Sequence, residues 1–191
     1  MTTGGNHTNH SQNSQAVVLA MDLQPRLLSS IDHATSIVDS TSILLRTAEI
    51  LKTPIIVTEQ VPEKLGQSVP ELLNHVNRYK TITKDSFSAF LCSGFCKEVS
   101  NLKTEKLIIT GIETSICVFL TAIDALRKNI RVTVISDCVG SRRKKDGEDC
   151  LQQLRSHGAE VLPLETFLFQ NLESSIHPNF REISGLIKTR Q

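Results

Sequence analysis

The sequence predicts a three-layer α/β/α fold built on a six-stranded, mostly parallel sheet. Short apolar runs recur along the chain, and segments with helical spacing of apolar residues stand between them. The runs are continuous rather than alternating, as expected of strands that helices cover on both faces. With 191 residues, of which 39% are hydrophobic, the chain has the length and composition of one domain with a substantial core.

The predicted elements alternate along the chain after a polar start. Residues 1–15 lack large apolar residues beyond the first methionine and predict a disordered tail, which leaves 16–191 as the folded domain. Strands are predicted over 16–22, 54–60, 78–84, 107–110, 131–137 and 159–162. Helices are predicted over 37–51, 71–76, 89–100, 116–126, 148–156 and 165–172.

Charge and cysteine content limit the partners and the compartment. The net charge is +1, with 21 basic and 20 acidic residues, so we expect neither a nucleic-acid nor a membrane partner. The five cysteines are an odd number and fall in predicted core elements, which favours free thiols in a reducing compartment. The sequence therefore predicts a cytoplasmic protein, and a nuclear or mitochondrial pool stays open. No motif for a nucleotide cofactor or an NTP occurs, and no cofactor is expected.

Cys117 lies where the fourth predicted strand turns into a helix. Free backbone N–H groups and the positive end of the helix dipole would there favour the thiolate over the thiol, as a nucleophile requires. The alternative is structural, because cysteine is often buried as a small hydrophobic residue. For a lone cysteine the structural alternative is favoured, and it is the two further polar residues at strand ends that favour a nucleophile here.

Asp22 and Lys84 also end predicted strands. Side chains at the carboxyl ends of parallel strands face the crevice in which open α/β sheets bind ligands. Asp22 is equally well explained as a turn residue at the strand exit. Lys84 is either a surface charge whose stem packs over the phenylalanines of KDSFSAF, which is the usual state of lysine, or a fixed positive charge held in the crevice.

Four blocks of the sequence resemble the isochorismatase-like cysteine hydrolases, and they occur in that superfamily's order. These blocks are VVLAMDLQ, KDSFSAF, ITGIETSICVFLTAIDAL and VISDCVGSR. TEQVPEKLGQSVPEL and the C-terminal HPNFREISGLIK most resemble the isochorismatase domain-containing branch. The resemblance implies a Rossmann-like strand order 3-2-1-4-5-6 and makes 16–191 an isochorismatase-like hydrolase domain.

The resemblance also implies a role for each of the three strand-end residues. Cys117 would be the nucleophile, Asp22 the base that takes its proton and passes it to the leaving group, and Lys84 the electrostatic support. The family has a non-proline cis peptide before the cysteine, which maps to Ile112 and Glu113. The backbone N–H groups of Glu113 and Cys117 would then form the oxyanion hole.

Other parts of the site are expected from the same resemblance. The nicotinamidase branch carries an Asp-x-His metal site after its second strand, but TEQVPEKLG contains no histidine, so no catalytic metal is predicted. The candidates for contacts with a small-molecule substrate are Gln60, Phe87, Phe90 and Glu113. Related proteins commonly assemble, so a homo-oligomer is expected.

The leading functional hypothesis is a metal-independent hydrolase that cleaves a small amide or related C–N bond through a thioester at Cys117. The rival is a catalytically silent scaffold or binding protein in which Cys117 is inert or redox-sensitive. A third alternative is a phosphate or nucleic-acid contact through the basic run 142–145. The acidic residues that follow this run favour a solvated helix start instead.

Overall fold

A computed structural model describes residues 15–190 and contains one six-stranded sheet in the order β3-β2-β1-β4-β5-β6. The strands are β1 (Ala16–Met21), β2 (Ile55–Gln60), β3 (Lys80–Lys84), β4 (Lys106–Ile112), β5 (Arg131–Gly140) and β6 (Glu160–Leu162). All neighbouring strands pair in parallel. The predicted fold class and strand order are confirmed, and the sheet is wholly rather than mostly parallel.

Helices cover both faces of the sheet. They are α1 (Pro25–Leu28), α2 (Ala34–Ile50), α3 (Pro62–Leu65), α4 (Ser93–Asn101), α5 (Phe119–Arg127), α6 (Lys144–Ser156), α7 (Leu164–Leu172) and α8 (Phe180–Ile187). One core packs α2, α7 and α8 on the sheet, and a second core packs α4, α5 and α6 on the opposite face. Within 15–190, no helix combines the length and the hydropathy that crossing a membrane would need.

Several boundaries differ from the sequence prediction. Strand β5 continues to Gly140 rather than ending at Asp137. The Asp137 carboxylate accepts a hydrogen bond from the Leu164 N–H and pairs with Arg190, so Asp137 lies within the strand. The predicted helix 71–76 is a single 3-10 turn, Pro70–Leu72. Helices α1, α3 and α8 were not predicted; α1 and α3 are single turns that start at prolines.

The predicted tail falls almost entirely outside the described residues. Only its last residue, Gln15, is described, and its C=O accepts a hydrogen bond from the Glu105 N–H at 3.0 Å. This contact lies just before β1 and β4 begin, so the two central strands are aligned from their first residues.

Gly111 allows β1 and β4 to approach each other closely near the end of the sheet where they lead into Asp22 and Cys117. Its φ of +112° lies in a region that residues with a side chain rarely adopt. A Cβ at this position would lie 2.0 Å from the backbone oxygen of Met21. The pairing of β4 with β5 also shifts register between Ile109 and Gly111. The geometry at the carboxyl end of β4 therefore requires a glycine.

We expect Gly111→Ala to prevent folding or to lower the free energy of unfolding by more than about 4 kcal/mol, because neither backbone strand can move away. Gly185→Ala is the matched control. Gly185 lies exposed in α8, and a Cβ there meets nothing within 4 Å, so we expect a gain of about 0.5–1 kcal/mol. Urea unfolding measures both changes. A Gly111→Ala variant as stable as the wild type would contradict this account of the β1–β4 contact.

Candidate active site

The fold brings three polar side chains from different strand ends together. Asp22 follows β1, Lys84 ends β3, and Cys117 lies in the turn after β4. Their exposed fractions are only 0%, 5% and 7%. The Lys84 Nζ atom lies 2.7 Å from Asp22 Oδ2 and 3.8 Å from Cys117 Sγ. The sequence prediction that named these residues thus identified side chains that share one buried cluster.

Asp22 is fixed by contacts to the neighbouring strand β2. Its backbone adopts a left-handed conformation with φ of 55°, and its N–H donates to the Thr58 backbone oxygen at 3.0 Å. The Thr58 hydroxyl donates to Asp22 Oδ1 at 2.8 Å, so each carboxylate oxygen has a donor. Sequence reasoning missed Thr58. Its signal was a polar residue directly after the apolar run IIV, in the strand beside the one that Asp22 follows.

All three protons of the Lys84 ammonium are used by oxygen acceptors. Nζ donates to Asp22 Oδ2 at 2.7 Å, to Gln60 Oε1 at 2.6 Å and to the Ser86 backbone oxygen at 3.1 Å. An ammonium has three N–H donors, and the sulfur of Cys117 is the most distant of its four neighbours. Lys84 therefore acts on the sulfur as a nearby positive charge more than as a hydrogen-bond donor.

Cys117 rests as a thiol rather than as the thiolate that its position predicts. It lies in a π-helical turn, Thr114–Val118, directly before α5. The pKa of the Cys117 thiol is raised to about 12, mainly by burial and also by the nearby Asp22 carboxylate, while the Lys84 ammonium opposes both. The expected effect of the helix start is thus outweighed by desolvation and by the adjacent carboxylate. Such a cysteine needs a base at the moment of reaction.

Gln24 and Gln60 tie the site to the loop after β2. Gln24 is fully buried; its Nε2 donates to the backbone oxygens of Gln60 and Gly66, and its Oε1 accepts the Gln60 N–H at 2.7 Å. Gln60, predicted as a substrate contact, instead uses its side chain to bind Lys84 and the Asp85 backbone oxygen. Sequence reasoning missed Gln24, which shows no pattern distinguishing it from a surface glutamine.

The two phenylalanine candidates have different surroundings. Phe87 is 59% exposed, in the segment that directly follows the strand end at Lys84. Phe90 packs edge-to-face on Phe95 and lies under Lys128, in a groove that includes none of the three clustered residues. The structure therefore does not bring Phe90 to the site, because its ring fills the core beside α4.

Glu113 also has another partner. Its carboxylate accepts hydrogen bonds from the Arg142 N–H at 3.0 Å and from the Arg142 side chain at 2.8 Å. The peptide bond between Ile112 and Glu113 is cis, as the resemblance implied. The side chain of Glu113 thus links the end of β4 to the segment after β5.

The basic run 142–145 is largely neutralised by carboxylates. Arg142 pairs with Glu113, Lys144 lies 3.9 Å from Glu148, and Lys145 pairs with Asp149 at 2.5 Å. Helix α6 begins within this run, as the solvated helix start in the sequence analysis suggested, although earlier than residue 148. In the described part of the chain, no three His, Cys, Asp or Glu side chains are grouped as a metal site would require.

We expect substitutions of Asp22 and Lys84 to be strongly coupled in their effects on the free energy of unfolding. Asp22→Asn and Lys84→Met should each lower the free energy of unfolding by about 3–5 kcal/mol, because each leaves one buried charge without its partner. The double variant should lose less than the sum of the two single losses, by at least about 2 kcal/mol. Urea unfolding of the four proteins measures this coupling, and additive losses would contradict it. The exposed pair Lys145–Asp149 is the control, with an expected coupling below about 1 kcal/mol.

Comparison with known proteins assigns the family. The isochorismatase domain model matches residues 16–166. Isochorismatase domain-containing protein 2 of Danio rerio is 35% identical over 172 residues, which are 90% of this chain and 86% of that protein. A solved structure described as MAR1 ribonuclease from Caenorhabditis elegans has a TM-score of 0.85 at 31% identity, covering 92% of this chain and 90% of that chain. The nicotinamidase PncA from Bacillus subtilis shares the fold, with a TM-score of 0.68 at 17% identity over 78% of this chain and 99% of that chain. The chain belongs to the isochorismatase domain family.

Proposed function

We propose that this protein is a metal-independent cysteine hydrolase that cleaves a small amide or a related C–N bond through a thioester at Cys117. The observation that carries the proposal is the buried cluster in which Lys84 Nζ lies 2.7 Å from Asp22 and 3.8 Å from the Cys117 sulfur. A nucleophile, a base and a fixed positive charge are the groups that acyl transfer requires.

In the first step, Asp22 takes the thiol proton while the Cys117 sulfur attacks the carbonyl carbon of the substrate. The carbon–sulfur bond forms, and the carbonyl electrons move to oxygen as a tetrahedral oxyanion. The backbone N–H groups of Glu113 and Cys117 are the proposed donors to this oxyanion. Lys84 balances the negative charge of the cluster at each stage, because its ammonium stays beside Asp22.

In the second step, the oxyanion collapses and the C–N bond breaks. The proton held by Asp22 passes to the departing nitrogen, which leaves as ammonia or an amine. A water molecule then gives a proton to Asp22 and attacks the thioester carbon. The C–S bond breaks, the sulfur regains a proton from Asp22, and the carboxylic acid is released. One carboxylate thus serves both half-reactions, which suits a thiol that begins and ends protonated.

The size of the substrate and the absence of a metal role rest on separate observations. Only 7% of Cys117 is exposed, so a small carbonyl compound fits the approach to the sulfur better than a polymer does. The positive charge beside the nucleophile is the Lys84 ammonium, and the TEQVPEKLG segment offers no histidine as a ligand. These two features favour an amide of a small molecule attacked without a catalytic metal.

RNA cleavage is the rival reaction, since a related structure is described as a ribonuclease. What weighs against it is the pairing of Arg142, Lys144 and Lys145 with carboxylates, which leaves little excess positive charge to hold a phosphate backbone. RNA binding would weaken steeply as salt increases, whereas turnover of a neutral amide would not. A scaffold with an inert or redox-sensitive Cys117 is the non-enzymatic alternative.

We also infer a homo-oligomer in the cytoplasm. Leu91 and Leu120 are 75% and 40% exposed, the first in the 3-10 turn before α4 and the second in α5. Ser88 and Asp124 join these two elements through a hydrogen bond of 2.7 Å. Exposed aliphatic side chains on two elements in contact favour a surface that buries against another chain.

A panel of small amides tests the proposal through release of ammonia or amine. We expect Cys117→Ala and Asp22→Asn to lower kcat/KM by at least about a thousandfold, because each removes a group that forms or breaks bonds. Mass spectrometry should detect an acyl adduct on Cys117 during turnover. Cys150→Ala is the matched control, since Cys150 lies in α6 outside the cluster, and it should retain wild-type activity.

Amine release that survives Cys117→Ala would contradict the proposal. Cleavage of RNA that requires Cys117, without turnover of any amide, would favour the rival reaction instead.

A further inference from the structure

Among the residues that the structure describes, Gln60 supplies the one uncharged side-chain oxygen that contacts the Lys84 ammonium. Its Oε1 accepts from Lys84 Nζ at 2.6 Å, beside the bonds from Nζ to Asp22 at 2.7 Å and to the Ser86 backbone oxygen at 3.1 Å. The Cys117 sulfur, at 3.8 Å, is the fourth neighbour of an atom with three protons. Removing any one of the three oxygen acceptors would therefore free one Lys84 ammonium proton to make a hydrogen bond to the Cys117 sulfur.

The orientation of the Gln60 amide is fixed from outside the cluster. Its Nε2 donates to the Asp85 backbone oxygen at 2.8 Å, so its Oε1 must be the atom that faces Lys84. Its backbone N–H and C=O are both bonded to the fully buried Gln24. Neither a flip of the amide nor a shift of the backbone is possible without breaking one of these bonds.

We propose that Gln60 is a positioning residue that occupies one of the three ammonium protons of Lys84 and so limits the hydrogen bond from this ammonium to the Cys117 sulfur to a long, shared contact of 3.8 Å. Lys84 then acts as a fixed charge, and the exchange of protons with the sulfur is left to Asp22. The meaning of this arrangement for catalysis rests on the proposed function. The contacts of Gln60 and their effect on the Cys117 thiol do not depend on the proposed function.

A neutral acceptor suits this role better than the alternatives. An apolar side chain would release the proton to the sulfur, which would stabilise the thiolate and lower the pKa of Cys117. A carboxylate would keep the proton occupied but would add a second negative charge to the cluster, which would raise that pKa. Substitutions of Gln60 should therefore change the reactivity of Cys117 in opposite directions according to their charge.

The test is the rate at which iodoacetamide alkylates Cys117, followed by peptide mass at one mildly alkaline pH in the full-length protein. We expect Gln60→Met to raise the rate about three- to tenfold, and Gln60→Glu to lower it by a similar factor. Gln67→Met is the matched control, because Gln67 is exposed in the same loop, and it should react as the wild type does. Thermal unfolding confirms that each variant is folded at the assay temperature.

A purely structural role for Gln60 would loosen the site in both variants and raise both rates. That result, or a Gln60→Met rate within twofold of the wild type, would overturn the proposal. If Gln60→Met does not fold, Gln60→Glu is the deciding variant, because glutamate has nearly the same shape as glutamine. An alkylation rate of Cys117 in Gln60→Glu that equals or exceeds the wild-type rate overturns the proposal.

Failure of this inference is distinguishable from failure of the proposed function. If no amide is hydrolysed but the two variants change the reactivity of Cys117 in opposite directions, the hydrolase proposal fails and the role of Gln60 stands. If amide turnover requires Cys117 but the variants leave the alkylation rate unchanged, only the role of Gln60 fails.

Discussion

The buried ion pair between Asp22 and Lys84 is the contact on which the rest of the site depends. Neither side chain touches solvent, so the cost of removing both charges from water must be offset by their mutual attraction and by further hydrogen bonds. Thr58 supplies one of these bonds to the carboxylate, and Gln60 and Ser86 supply two to the ammonium. A pair that is satisfied in this way stays in one geometry, which a catalytic cluster needs.

The sheet order determines which residues can meet at this pair. Strand β1 lies between β2 and β4, so Asp22 has Thr58 on one side and the Cys117 turn on the other. Lys84 ends β3, two strands from β1, and its long side chain spans β2 to reach Asp22. The close approach of Gly111 to Met21 sets the spacing of the two central strands. Fold and chemistry are therefore linked through a few backbone contacts at one end of the sheet.

The sequence predicted the parts of this arrangement that depend on local patterns. Continuous apolar runs predicted the buried strands, and the strand ends together with the family resemblance identified Asp22, Lys84 and Cys117. The supporting contacts could not be predicted, because Gln24 and Thr58 act across the sheet on residues 36 positions away. The state of the Cys117 thiol was also missed, since the turn alone favours a thiolate. Burial and the carboxylate of Asp22, which reverse that preference, exist only in the folded chain.

The most direct test of this account is the ultraviolet titration of the Cys117 thiolate, taken as the difference between the wild type and Cys117→Ser. Because the pKa of Cys117 is raised to about 12, the protein should show no thiolate absorbance from this residue up to about pH 10. A thiolate that appears at or below about pH 8.5, where an ordinary cysteine ionises, would contradict the account. It would mean that Cys117 is already a thiolate in the resting protein, rather than a thiol that Asp22 deprotonates during the reaction.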